Sequence, residues 1–466
     1  MEKRTVLLHR SETSGTCVVY VMSRDQRVAD NHALYAAQKH ALAEKLPLVV
    51  VFNLRQNVGY RAYEHFAFML EGLSQVAERL ASLHIPFVWT AESSAHTLEA
   101  TLTRLKPAAL YWDFSPLHGA RQRAKLVATT LGVTSYVVDT HNIIPVWHAS
   151  DHQEFAAHTF RSKVHANLAA YLQEPDAIVP HPYSLKALPT TFTTEEAWEY
   201  IAHQPKRGIT ISFTSGEAAA TKLLDDFIAQ KLPQYALKRN DIAEDFQSNL
   251  SPYLHFGQLA SLRVALDVLA ETQKTPLLFE RAKMASAGDQ PSAEDGMNAL
   301  FEEMIVRKEL SDNFCFYAKS FTSFDAIPAW AVDTLTQHQT DRREHVYTID
   351  ELRSASTHDP AWNAAQRELT TSGKMHGYMR MYWAKKLLEW TPTPQDALAI
   401  AIELNDSYSI DGGDPNGYVG MLWSIAGLHD RPWTERPIFG KIRYMNLAGL
   451  ERKFNLNAYI SRIAAR

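Results

Sequence analysis

Three stretches of the chain hold residues whose types and spacing can do chemistry. The first is SNLSPYLHFGQ, Ser248 to Gln258. Ser251 followed by Pro252 predicts an N-cap and a first-turn proline, and PYLHFGQLASLRVALDVLAE continues at helical period. Such a start offers unpaired backbone N–H groups and the positive end of a dipole, ringed by Ser248, Asn249 and Ser251. It suits a phosphate, and it equally suits a plain capped helix. The second is FEEMIVRKELSDNFCFY, Phe301 to Tyr317, which puts Glu303, Arg307, Ser311 and Phe314 on one helix face with Lys308 beside them. That face reads either as a polar edge on a cleft or as a solvated surface with i,i+4 pairs.

The third stretch runs from Asp359 to Trp433 and contains five of the chain's ten tryptophans. Asp359 and Pro360 open a helix bearing Trp362 that ends near Gly373. The next helix carries Arg380, Trp383 and Trp390 and stops at Thr391-Pro392. Trp383 and Trp390 are two turns apart and share a face. Thr393 and Pro394 open a third helix that delivers Asn405 to its end, and the loop DGGDPNGYVG follows. By spacing alone the tryptophans also fit a packed core, and Asn405, Asp411 and Asn416 also fit turns. Taken together, the three stretches are the parts of a pocket for a large, planar, phosphate-bearing cofactor. Composition and spacing do not identify it.

These residues need a scaffold. Residues 17–175 alternate apolar runs with amphipathic segments. Cys17–Met22, Pro47–Phe52, Pro86–Ala91, Ala108–Asp113 and Ser135–Thr140 read as buried strands, with helices near 32–45, 61–83, 96–105 and 118–131. That alternation predicts a Rossmann-like α/β domain with a parallel sheet covered on both faces. No GxGxxG follows the first strand, so no dinucleotide is expected there in the usual way. The loop MSRDQRVADNHAL instead offers ion pairs and caps at the sheet edge, with Asp30 or Asn31 capping the next helix. Prolines collect over 174–215, and from Thr214 the pattern is helical. The expected division is an α/β domain over 1–175, a linker over 176–215 and an all-helical domain over 216–466.

The chain has 466 residues, 46% hydrophobic and 21% charged, with a net charge of −5. Two cysteines, Cys17 and Cys315, leave no thiol-based zinc site or iron–sulfur cluster, and no metal is expected. No apolar run reaches the ~18–20 residues that span a bilayer, and the opening residues lack an apolar signal region. A cytoplasmic monomer without a membrane partner is expected. Any nucleic-acid contact must come from a local patch, and residues 431–466 carry eight Lys/Arg against two Asp/Glu.

At this point a resemblance enters. SNLSPYLHFGQ, RKELSDNF, HDPAWNAAQRELTTSGKMHGYMRMYWAKKLLEW, LNDSYSIDGGDPNGYVG and HDRPWTERPIFGKIRYMN closely resemble class II cyclobutane pyrimidine dimer DNA photolyases, in family order and over nearly the whole chain. The resemblance implies an N-terminal α/β domain and a helical domain that buries FAD. It also implies repair of pyrimidine dimers in UV-damaged DNA by an electron from excited FADH⁻, with a deazaflavin or folate as antenna. Matched by motif, Tyr235, Ser248, Asn249, Leu250, Ser251 and Leu254 would hold the FAD phosphates and ribityl. Lys308, Ser311, Gly412 and Asn416 would approach the cofactor, Asn405 would sit at flavin N5, and Arg380 and Asp411 would pair beside the ring. Trp383, Trp362 and Trp390 resemble the proximal, middle and distal members of an electron path to the surface. Glu303, Met381 and Trp423 would meet the flipped dimer. Arg239, Asn240, Arg307, Arg431, Trp433, Lys441 and Arg443 would contact DNA. Gly413 departs from the family loop, which often reads DGRDP. The rival readings are a cryptochrome-type blue-light receptor and a (6-4) photoproduct enzyme; the latter needs two active-site histidines that this match does not place.

Overall fold

The computed structural model describes residues 2–12, 14–55, 59–92, 96–189, 192–272 and 292–465. Six strands form one sheet in the order β1-β6-β5-β2-β3-β4. They are β1 Thr5–His9, β2 Cys17–Met22, β3 Leu48–Leu54, β4 Phe87–Ala91, β5 Pro107–Asp113 and β6 Ser135–Val138. The last five are the expected apolar runs, and they pair in parallel. Every residue of β2 is buried, which is why its sequence does not alternate. Val18, Tyr20 and Met22 face the helices His32–Glu44 and Tyr63–Ser82, while Val19 and Val21 face Leu98–Leu105 and His118–Leu131.

Two expectations for this region need correction. The sheet is mixed, because β1 runs antiparallel to β6 at one edge. TVLLH carries only three apolar residues in a row, and Val6 and Leu7 stay 37% and 47% exposed, as a half-covered edge strand allows. The MSRDQR loop lies at the centre of the sheet, where the strand order reverses beside β2, and not at its edge. There Asp113 accepts from Tyr20 Oη at 2.6 Å and from the N–H groups of Ser23 and Arg24 at 2.7 and 2.9 Å. Arg24 then reaches out to Asp312, bidentate at 2.7 and 3.0 Å. The crevice that often takes a ligand in such sheets is thus filled by the protein and ties the sheet to the Lys308–Tyr317 helix. Asn31 is the cap, accepting from Leu34 N at 2.9 Å, while Asp30 pairs with Arg263 at 2.9 Å.

Among the described residues from 216 onward no strand forms, only an isolated bridge between Arg436 and Gly440. No helix among the described residues is long and apolar enough to cross a membrane. The helices Pro360–Ser372, Gly377–Trp390, Pro394–Tyr408 and Pro415–Ala426 contribute to a second core. Their starts follow the capping residues. Asp359 accepts from Ala361 and Trp362 N–H, Thr393 from Asp396 and Asp414 from Asn416. Ser251 behaves otherwise. The residue before its helix, Leu250, is itself in helical conformation, and Ser251–His255 makes little more than one turn. Gly257, at φ +65°, ends it, and Ser261–Thr272 starts afresh. A Cβ on Gly257 would come within 2.3 Å of the Arg24 carbonyl oxygen, so the break is where the two halves of the molecule press together. The expected N-cap at Ser251 and the single long helix are both overturned.

Candidate active site

The Ala293–Phe301 helix continues through a π-helical segment, Glu302–Arg307, into Lys308–Tyr317. A π turn widens the helix and redirects the residues it carries. Glu302 turns inward and is held by Arg161 at 2.9 and 2.7 Å and by Arg307 at 3.0 Å. Glu303 stays exposed and accepts from Arg239 Nη1 at 2.7 Å. Lys308 is buried and donates to the His141 carbonyl and Asn142 Oδ1, both at 3.3 Å. The single face expected for Glu303, Arg307 and Ser311 is therefore split. Arg307 is engaged with Glu302 and does not line the cleft. Ser311 Oγ lies 3.1 Å from Asn416 Oδ1 and supports that side chain from behind.

Facing this helix, a cleft of about 570 Å³ opens between it and the Gly377–Trp390 helix. A deeper pocket of about 150 Å³ shares its walls. Tyr235, Ser248, Ser251, Glu303, Arg380, Asp411 and Asn416 line both. Leu250, Leu254 and Lys308 line only the deep end; Arg239, Asn240, Asn249, Met381 and Trp423 line only the outer cleft. Arg380 Nη2 lies 3.7 Å from Asp411, whose carboxylate also accepts from Ser409 Oγ at 2.5 Å and from Ser251. Burial alone would raise the pKa of Asp411. The Arg380 charge and the two hydroxyl bonds outweigh it and hold the group below the usual carboxylate range.

Besides Ser311, two more of the expected ligand-side residues stand back from the cavity. Asn405 is buried and its Nδ2 donates to Asp406 Oδ1 at 2.9 Å. A Cβ on Gly417, which lines the deep pocket, would be 3.3 Å from that nitrogen, so the amide sits directly behind the glycine. Gly412 lines neither cavity. A Cβ there would lie 2.8 Å from Asp406 Cα and the Ser409 carbonyl oxygen, so it serves the turn itself. At Gly413, φ +78°, a Cβ would stand 3.5 Å from Arg61 Nη2. A guanidinium from the N-terminal half thus approaches the place where the resembled loop carries arginine.

Sequence reading missed Lys374 and His141. Lys374 lines the outer cleft, donates to Asn249 Oδ1 at 2.7 Å, and is pushed down to about 8 by burial. It lies inside a quoted motif, and its polarity was the available signal. His141 comes from the N-terminal half, so nothing local marked it. Burial and the charge of Arg24 hold it down at about 4, and it lines the deep pocket as a neutral ring.

The tryptophans separate in space. Trp362 stacks on Trp383 with centroids 6.3 Å apart at 8°, and meets Trp390 edge-on at 5.6 Å and 67°. Trp362 Nε1 donates to the Trp383 carbonyl at 3.1 Å and Trp383 Nε1 to Gln366 Oε1 at 2.8 Å. All three are buried, with Trp362 in the middle. Trp423 stands at the cleft mouth over Lys385 at 5.0 Å. Arg443 lies 5.8 Å from Trp423 and 5.0 Å from Trp433, bridging the mouth to an exposed lobe with Arg431 and Lys441. Those four lobe residues, Arg431, Trp433, Lys441 and Arg443, do not line the cleft.

Comparison with known proteins follows this geometry. A family model described as DNA photolyase matches residues 18–182. The deoxyribodipyrimidine photo-lyase of Potorous tridactylus is 42% identical over 96% of this chain and 81% of its own. That of Oryza sativa subsp. japonica is also 42% identical, over 96% and 87%. Cryptochrome-2 of Arabidopsis thaliana is more distant, 24% identical over 82% of this chain and 58% of its own. Among solved structures, a bacterial class III photolyase from Agrobacterium tumefaciens superposes with a TM-score of 0.73 at 17% identity, covering 98% of this chain and 88% of that one.

Proposed function

This chain belongs to the DNA photolyase family, and from that premise we propose that it repairs cyclobutane pyrimidine dimers in DNA by light-driven electron transfer from bound FAD, in the manner of class II enzymes. The observation that carries the reading is one cleft in which the residues matched to cofactor and to lesion meet: Arg380, Asp411 and Ser251 with Glu303, Met381 and Trp423. Its volume lies within the usual ligand range of about 300–1,000 Å³. A Cβ on Gly420, in its wall, would meet open space, so the cleft has room beside the backbone.

FAD in its fully reduced form supplies the photoexcited electron. The chain's residues do the rest. Ser248, Asn249 and Lys374 offer hydroxyl, amide and ammonium groups to phosphate and ribityl oxygens, and Tyr235, Leu250 and Leu254 cover the apolar faces. The Arg380–Asp411 pair fixes charge beside the ring system, and Asn405, behind Gly417, adds an amide dipole there. Asn416 is braced by Ser311. Lys308, held by His141 and Asn142, marks the deep end. A pyrimidine dimer turned out of the duplex needs stacking surface and polar groups at its edges. Met381 and Trp423 give the first; Glu303, positioned by Arg239, gives the second, with Asn240 at the rim. Arg431, Trp433, Lys441 and Arg443 supply cations and a ring to the strand beside the gap. Trp383, Trp362 and Trp390 form a dry column for recharging the flavin. An antenna of deazaflavin or folate type completes the proposal.

The test is direct. FAD-loaded, reduced protein is illuminated with a thymine-dimer oligonucleotide, and loss of the dimer is followed by chromatography. An intact dimer overturns the reading in favour of the receptor alternative. The absorption spectrum of the same protein reports flavin and antenna together. Repair of (6-4) photoproducts is disfavoured by placement: the histidines lining the deep pocket, His141 and His255, do not line the outer cleft with Met381 and Trp423, and no described histidine does.

A further inference from the structure

Trp390 ends the tryptophan column without reaching solvent, being 1% exposed. Beside it stands a hydrogen-bonded tyrosine–histidine pair. The Tyr347 ring packs edge-on against Trp390 with centroids 5.3 Å apart at 77°, a shorter separation than either tryptophan–tryptophan contact in the column. The Tyr347 N–H donates to the Trp390 carbonyl at 3.3 Å, which fixes the two rings to one another. Tyr347 Oη lies 2.6 Å from His358 Nδ1, and the His358 backbone N–H donates to the same phenol oxygen at 3.0 Å. With Nδ1 unprotonated, the phenol hydrogen lies in the bond to Nδ1 while the oxygen accepts from the amide. His345 stacks on His358 at 3.9 Å. Burial, and then the neighbouring His345, keep His358 below its ordinary range, so it stands ready as a neutral acceptor. Tyr347 is half-buried and His358 is exposed to water.

We propose that Tyr347 is the terminal electron donor of the column and His358 its proton acceptor. The inference rests on the reading of the column as the route of flavin photoreduction. An electron leaves Tyr347 for the oxidised Trp390 side chain, the phenol O–H bond breaks, and the proton passes to His358 Nδ1. The products are restored Trp390, a neutral tyrosyl radical and an imidazolium. A small-molecule thiol in solution then gives a hydrogen atom to the tyrosyl radical and becomes a thiyl radical, while the imidazolium releases its proton to water. The balance is one electron delivered inward and one proton released outward per thiol oxidised. The location makes chemical sense. A buried tryptophan cannot meet a reductant, whereas a half-exposed phenol can, and moving the proton away removes the easy path of return.

The experiment uses the full chain loaded with oxidised FAD, excited by a laser flash and followed by transient absorption and electron paramagnetic resonance. The wild type is expected to show a tryptophanyl radical that gives way to a tyrosyl radical. Tyr347→Phe, which keeps the ring packing, should leave the tryptophanyl radical as the last species and lower the yield of thiol-dependent flavin reduction several-fold. His358→Leu should slow tyrosyl formation several-fold and remove its sensitivity to deuterated solvent, an effect that a packing role would not produce. A tyrosyl signal that survives Tyr347→Phe, or a wild type that stops at tryptophanyl, overturns the proposal and leaves the column reading standing. A wild type with no tryptophanyl radical at all overturns the column reading and the proposal with it.

Discussion

The Gly377–Trp390 helix separates two regions built by opposite rules. On one side Arg380, Met381 and Ala384 line a cleft whose other walls set carboxylates, hydroxyls, amides and Lys374 beside Met421 and Trp423. On the other, Trp383 and Trp390 join Trp362 in a dry core with Leu387, Leu388 and Ala365. Polar groups in the cleft pair with one another along its wall, Glu303 with Arg239 and Lys374 with Asn249 at 2.7 Å, and Arg380 with Asp411 more loosely at 3.7 Å. In the column every indole with a named partner bonds to protein, at 2.8 and 3.1 Å. The difference teaches what one helix can divide: the cleft sets charged and polar side chains against an open cavity, whereas the column packs its three indoles into the core away from solvent. One helix serves both because successive turns show its two faces to different solvents.

The largest expected effect breaks the column alone. Trp383→Phe should abolish photoreduction of oxidised flavin, read by the loss of flavin absorbance under blue light with a thiol present. On the cleft side, Asp411→Asn leaves the Arg380 cation without its counter-charge, and FAD affinity should fall by about tenfold or more, ~1.4 kcal/mol, with normal photoreduction of whatever flavin is bound. Glu303→Ala removes a charged hydrogen-bond partner from the lesion, a loss of about 1.5–3 kcal/mol, and should lower repair yield without changing flavin content. Lys441→Ala, out on the lobe, should weaken damaged and undamaged DNA alike and reduce the salt dependence of binding by a slope of about 0.9.

The last prediction concerns the stability of the dividing helix itself and leaves the activities of cleft and column aside. Lys385 is fully buried, donates to the Ser424 carbonyl at 2.8 Å, and burial pushes it down to about 7. The unfolded chain holds that proton up to about 10.4. Between those values the unfolded state binds more protons, so stability rises with pH. Lys385→Met should flatten that rise, measured as the urea midpoint at pH 7 and pH 10.

Much of this was legible in the chain. The β2 run CVVYVM has no polar side, and only a strand covered on both faces tolerates that. Asp359-Pro360 and Thr393-Pro394 announced helix starts because a capping oxygen and a proline act locally. What escaped depends on partners distant in sequence. Gly257 breaks a periodic segment where Arg24, from the loop after β2, packs against it. The π turn at Glu302–Arg307 redirects Arg307 toward Glu302, a pairing that straight helical spacing does not foresee. Tyr347 and His358 lie outside the matched tryptophan helices, and only the fold brings them to Trp390. The division of the tryptophans into column and rim came from family resemblance; the fold packs Trp362 against Trp383 and Trp390 and sets Trp423 in the cleft wall.

The central claim is that cleft and column do separate work. It is tested most directly by repair yield per absorbed photon on a thymine-dimer duplex, starting from chemically reduced, FAD-loaded protein, for wild type, Trp383→Phe and Glu303→Ala. The account predicts that Trp383→Phe repairs as the wild type does while Glu303→Ala falls well below it. Equal loss in both variants would contradict it.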